Sequence, residues 1–286
     1  WERPGNTPAL VRLLCAYLAV GKSTVAPALE KVLGVFQKLL SSKASDALAC
    51  TLLSAIWRTF ELSELAAMVA PIFTLCLTRL QSNRKVAPAL VGTWCVFAAR
   101  YGAPTLRGQF ESIQPGLLAM LLRGPPAPGV WCEALASVPG ASARKCAAIG
   151  TARLLTECPE LAADTSTFGP VLQALLLMLL SDQGMPSTPA PLTLAAAPGE
   201  PEENEFGGGE GGGVGYVAAY VGLSHASAAE DKDLYPGETA AGYTAKALHG
   251  LHTRTATVLP SVIAAMMPAL PADKQQGVQA LLQGVC

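Results

Sequence analysis

The feature that most restricts this chain is the spacing of its apolar residues. They recur at i, i+3, i+4 and i+7 in block after block, the period of a helix with one buried face. Leu10, Leu13, Leu14 and Leu18 share one face. After a break at Gly21–Thr24 the stripe restarts with Val25, Leu29, Val32, Leu33, Phe36, Leu39 and Leu40. Further blocks at about 47–60, 64–80, 86–101 and 106–122 are joined by a few residues each, and connections that short force sequential helices to lie antiparallel. The pair-to-pair spacing is roughly 40 residues, the period of HEAT and armadillo units. The expected fold is all-α, a HEAT-repeat solenoid of antiparallel helix pairs.

Composition agrees. Hydrophobic residues are 51% of the chain and charged residues 14%, enough apolar material to bury a core along most of the length. That hydrophobicity raises the question of a membrane. The longest clean apolar run, Ala174 to Leu180, is far short of the roughly 20 residues a spanning helix needs, and Val258 to Leu270 is interrupted by Pro260 and Pro268. These stretches read as helices buried on two sides, without membrane insertion. The eight cysteines form no CxxC pair and sit mostly on apolar helical faces, where a free thiol behaves as a small hydrophobe; a reducing compartment is expected. The net charge of −1 gives no reason to expect a nucleic-acid partner. Pro27, Pro71, Pro88, Pro115 and Pro170 should each start or kink a helix. The chain opens on Trp1 with a helix under way within ten residues, so it is expected to be part of something longer.

Three regions follow. HEAT repeats occupy 1–181, with a Pro- and Gly-rich linker at Arg123–Gly129 and helices at about 130–137, 143–157 and 167–180. Residues 182–215 are rich in Pro, Gly and Glu and too poor in apolar side chains to order themselves, so a disordered loop is expected. C-terminal helical repeats fill 216–286, with helices at about 216–226, 240–257, 261–267 and 273–282.

Several motifs mimic chemistry. Ala16 to Ser23 reads A-x-x-x-x-G-K-S, but no strand precedes it and Tyr17, Leu18, Ala19 and Val20 continue a helical stripe. Gly21 is better read as a helix C-cap, with Ser23 or Thr24 as the next N-cap. Gly207–Gly212 matches G-x-G-x-x-G inside a low-complexity run, outside any βαβ unit. His249 and His252 lie three apart on a helix with no third ligand near in sequence. Paired acids such as Glu202 and Glu203 sit where no fixed geometry is expected. Neither catalytic residues, a cofactor nor a metal is expected, and the chain does not read as an enzyme. What remains is charge: Glu200 to Glu238 holds nine acidic residues against the single Lys232, leaving the rest of the chain net positive. Glu202, Glu203, Glu205, Asp231 and Asp233 are the candidate protein-binding patch, an anionic strip for a basic partner, set against the alternative of a solvated surface loop.

Leu33–Lys43 reads LGVFQKLLSSK, Pro71–Gln81 PIFTLCLTRLQ, Arg100–Leu118 RYGAPTLRGQFESIQPGLL and Lys145–Leu161 KCAAIGTARLLTECPEL. In order and spacing these strings resemble the C-terminal portion of the CAS family of nuclear export receptors, within the karyopherin-β superfamily. The likeness runs over most of Leu10 to Leu180, resumes near Gly215, and loosens after Gly250. The resemblance implies a superhelical receptor that returns importin-α to the cytoplasm in complex with GTP-bound Ran, shuttling between nucleus and cytoplasm. It also implies that Ran is grasped mainly by N-terminal repeats this chain lacks. The alternative is a generic HEAT scaffold or regulatory subunit with a different protein partner.

Overall fold

A computed structural model describes residues 4–123, 129–183 and 233–283, all of which belong to one compact unit. The described residues form helices and contain no β-strand. In chain order these are α1 (Thr7–Val20), α2 (Lys22–Val25), α3 (Leu29–Ser41), α4 (Asp46–Thr59), α5 (Leu62–Ser82), α6 (Ala87–Tyr101), α7 (Ala103–Ile113) and α8 (Leu117–Arg123). There follow α9 (Val130–Leu135), α10 (Ala141–Glu157), α11 (Pro159–Ala163), α12 (Thr165–Gln183), α13 (Ala240–Arg254), α14 (Val258–Met266) and α15 (Ala272–Leu282).

The helices stack in two rows, as a HEAT solenoid requires. One row runs α1, α4, α6, α10, α13, each packed on the next; the other runs α3, α5, α7–α8, α12, α14–α15. Hydrophobic burial between the rows and between neighbours holds the array together. Three tryptophans, Trp57, Trp94 and Trp131, are at most 1% exposed. An aromatic spine links the repeats: Trp57 meets Phe97 edge-on at 5.1 Å, Phe97 meets Phe73 at 5.2 Å, Phe73 meets Phe110 at 5.3 Å, Phe110 meets Trp94 at 5.1 Å, and Trp94 stacks on Trp131 at 6.2 Å. Each such ring contributes several kcal/mol by burial, on the order of 1.5–3 per large side chain, and T-shaped pairing adds to that.

Helix α6 is the centre, buried from Leu90 through Ala99. It meets α10 so closely that Gly150 faces the backbone of Cys95; a Cβ there would lie 2.5 Å from the Cys95 carbonyl oxygen. Beside this crossing the Thr151 hydroxyl accepts from Trp131 Nε1 at 3.2 Å. Between α4 and α5, Asp46 at the start of one helix takes Arg79 Nη2 at 2.9 Å and Nε at 3.1 Å, and Asn83 Nδ2 at 2.6 Å, from the end of the other. Asp46 is 6% exposed and Arg79 9%, so this pair is made inside the protein. A carboxylate in the first turn of α4 also meets the positive end of that helix.

Four sequence expectations need correction. The helix expected over 106–122 is two helices, broken where Gly116 takes φ +77° after Pro115. The expected helix over 240–257 ends at Arg254, and α14 starts at Val258 rather than Ser261. Neither Ser23 nor Thr24 caps α2, because Gly21 is the N-cap and both hydroxyl residues lie inside the helix. Finally, α5 is long and apolar enough by composition to cross a membrane (21 residues, mean hydropathy 1.4 in its most apolar 18-residue window), although no unbroken apolar run marks it; here it packs against α3, α6 and α7. Pro88 opens α6, whereas Pro71 and Pro170 sit inside α5 and α12 without ending them. The helix expected at 216–226 lies outside the described residues.

Candidate functional site

The carboxyl ends of the first-row helices are where polar groups converge. A helix leaves its last carbonyls without intrahelical partners, and here the following repeat supplies them. The Thr59 hydroxyl of α4, 2.8 Å from the Ala55 carbonyl of its own helix, also lies 3.4 Å from the Leu18 carbonyl of α1. The Tyr101 hydroxyl of α6 lies 2.9 Å from the Trp57 carbonyl and 2.8 Å from that of Phe60, at the end of α4. Burial pushes that phenol well above its usual range, so it stays a donor. At the end of α6, the Ala99 carbonyl accepts from Tyr235 OH and from Arg153 Nη1, both at 2.7 Å. At the end of α10, Arg254 Nη2 donates to the Thr156 carbonyl at 2.7 Å.

Ion pairs decorate the same edge. Lys22 Nζ reaches Glu64 at 2.7 Å, Arg100 reaches Glu61 at 2.5 Å, and Arg107 reaches Glu160 at 2.8 Å. Exposed pairs of this kind are worth no more than about 1 kcal/mol each. They set charge and register more than stability. Glu157 is engaged on both oxygens, by Arg153 Nε at 2.5 Å and by the Ala103 amide at 3.1 Å.

Asp233 alone of the five predicted patch residues lies among the described ones. Lys145 of α10 donates to its carboxylate at 2.6 Å and to the Tyr235 carbonyl at 2.8 Å. The hydrogen bond from Lys145 holds the Asp233 carboxyl below the ordinary aspartate range. Tyr235 then meets Tyr243 of α13 edge-on at 5.1 Å. So Asp233 begins an arm that crosses α10 and reaches the end of α6. Glu202, Glu203, Glu205 and Asp231 lie outside the described residues, as does Gly207–Gly212.

The mimic motifs resolve plainly. Gly21 ends α1, its amide bonded to the Tyr17 carbonyl at 2.8 Å, and Lys22 is occupied by Glu64 and by the face of Phe60, 5.5 Å away. Among the described residues no three of His, Cys, Asp and Glu gather as a metal set. Burial pushes the Cys50 and Cys95 thiols up to about 12, where neither is a nucleophile at neutral pH. Sequence reasoning missed Tyr101, Arg153, Tyr235 and Arg254, because their partners are backbone carbonyls 41 to 136 residues away.

The family described as "CAS/CSE protein, C-terminus" matches residues 1–281 of this chain. Exportin-2 of Danio rerio is 31% identical over 296 residues, covering 99% of this chain and 28% of the fish protein. Exportin-2 of Pagrus major is 37% identical over 209 residues (70% of this chain, 21% of the relative), and that of Homo sapiens 35% over 187 (62% and 18%). The chain thus spans less than a third of the length of these relatives. Among solved structures, the exportin Cse1 in its cargo-free, cytoplasmic state superposes with a TM-score of 0.65 at 20% identity, over 99% of this chain and 27% of that one.

Proposed function

This chain belongs to the CAS/CSE protein family, a family of nuclear export receptors, and from that premise we propose that it forms the C-terminal arch of a receptor that returns importin-α to the cytoplasm in complex with GTP-bound Ran. The observation that carries the reading is a likeness that spans nearly the whole chain, laid over a stack in which each first-row helix touches its neighbours in that row. In such an array small rotations at each junction add up, so curvature can change without breaking any one core. Cargo is then held by many modest contacts, and the nucleotide state of Ran selects the curvature that makes them.

Ran is gripped mainly by repeats upstream of this arch, and the receptor shuttles between nucleus and cytoplasm. The acids Glu202, Glu203, Glu205, Asp231 and Asp233 add an anionic strip for basic importin-α. Asp233 already holds Lys145, so a basic cargo side chain must displace that lysine or share it.

The test is a pull-down of importin-α by the full-length gene product, with and without Ran-GTP. Retention that depends on Ran-GTP supports the proposal. Failure to retain importin-α under either condition overturns it and favours a scaffold with another partner. Neutralising the five acids should weaken retention at low salt and less so at physiological salt, where the screening length is about 8 Å.

A further inference from the structure

At the α4–α6 and α10–α13 junctions the groups that bridge one helix end to the next, Tyr101 and Arg254, belong to the helices themselves. At α6–α10 the Arg153 bridge from α10 is joined by a second one from Tyr235, which lies in no helix. Tyr235 belongs to the short strap 233–237 that leads towards α13.

The strap is shaped by its own bonds. The Asp233 carboxylate accepts from the Tyr235 amide at 3.0 Å. The Tyr235 carbonyl accepts from the Glu238 amide at 3.2 Å, across a turn in which Gly237 supplies φ +81°. Three contacts hold this piece on the array. The Tyr235 hydroxyl donates to the Ala99 carbonyl of α6 at 2.7 Å and accepts from Arg153 Nη1 of α10 at 3.3 Å. Its ring meets Tyr243 of α13. Lys145, near the start of α10, donates to the Asp233 carboxylate at 2.6 Å and to the Tyr235 carbonyl at 2.8 Å. Both of those bonds come from one Nζ, so whatever displaces the ammonium removes both together. The Lys145 and Asp233 side chains are 22% and 44% exposed, open to water and to other cations. An exposed ion pair is the contact that a competing charge exchanges most readily.

We propose that residues 233–237 are an ionic latch on the α6–α10 junction. With Lys145 on Asp233, Tyr235 is seated against Ala99 and the two helices are held at one angle. A basic group that takes the Asp233 carboxylate strips the strap of Lys145, unseats Tyr235 and frees the junction to rotate. The latch rests on the reading of Asp233 as a contact for a basic partner, and it couples that contact to the curvature of the array.

The test uses the full chain, hydrogen–deuterium exchange read in peptides covering 98–103 and 234–243, and nona-arginine at low salt as the basic probe. Lys145→Met should raise exchange in both peptides at least fivefold with no partner present, while 49–57 in α4 stays at its native rate. Lys145→Arg should restore the native pattern. Lys246→Met removes the same charge but breaks only the Glu238 pair, and should leave 98–103 unchanged. Nona-arginine should raise exchange at 98–103 in the native chain and add nothing further in Lys145→Met. Native rates at 98–103 in Lys145→Met overturn the latch whatever the partner. Binding of nona-arginine to the native chain with exchange unchanged also overturns the latch, and leaves the acidic contact standing. No binding at millimolar peptide overturns both.

Discussion

The crossing of α6 and α10 offers a matched pair of substitutions with opposite expected signs. Gly150 lies inside α10, where glycine in place of alanine costs about 1 kcal/mol of helix preference. Replacing it with alanine recovers that amount but sets the new methyl 2.5 Å from the Cys95 carbonyl oxygen, 2.7 Å from its Cα and 2.8 Å from its Cβ. Two of these three atoms are backbone, so no rotamer change relieves the overlap. The helices must part by about 1 Å to reach ordinary contact. Parting them also pulls Thr151 from Trp131 Nε1 and loosens the buried neighbours Cys95, Ala147 and Leu154. Overpacking of this kind costs about 1–3 kcal/mol where side chains can adjust, and more against backbone. A net loss of about 2 kcal/mol follows, a fall in Tm of about 4–8 °C for a protein of this size. Gly34→Ala in α3 is the control: its Cβ meets nothing, so it gains helix preference alone and should stabilise by about 0.5–1 kcal/mol. Thermal unfolding followed by far-ultraviolet circular dichroism compares the two. If Gly150→Ala melts as high as Gly34→Ala, the close approach of α6 and α10 is not what positions these repeats.

Three further outcomes are expected. Asp46→Ala leaves the buried Arg79 without its carboxylate and should cost about 3 kcal/mol or more in urea denaturation, most of it recovered in Asp46→Leu/Arg79→Met. Hydrogen bonds from Ser166 and Thr167 hold the Asp164 carboxyl below its ordinary range. Its contribution is therefore present above about pH 4 and lost as pH falls through the lowered value, and Asp164→Asn should flatten that acid limb of a stability profile. Cys50 and Cys95, their thiols raised to about 12 by burial, should resist iodoacetamide in the native protein and react only once urea unfolds it, as read by mass spectrometry.

Helix existence was written in the apolar period, because burying one face of a helix demands that spacing. Helix breaks were less legible. Pro115 reads as a kink from sequence, but the chain stops there because Gly116 supplies a left-handed turn. The short α11 carries too few residues to show a period. The convergence of Tyr101, Arg153, Tyr235 and Arg254 on helix ends was invisible, since a backbone carbonyl has no sequence signature and the pairing arises only once repeats stack. Of the acidic patch, composition located the charge, while only packing could reveal that Asp233 is engaged by Lys145.

That capping of each first-row helix by the repeat after it gives the array a direction in time. While the chain emerges from a ribosome, α4 can coil and collapse onto α5 before Tyr101 exists, but the Trp57 and Phe60 carbonyls stay bonded to water until α6 follows. The same wait recurs at α6, whose Ala99 carbonyl gains a partner when Arg153 arrives. With roughly 40 residues per repeat and about 5–20 residues made per second, each unit trails its own synthesis by about 2–8 s. At any moment the newest repeat on the ribosome is the loose one, and completion travels along the chain one unit behind translation.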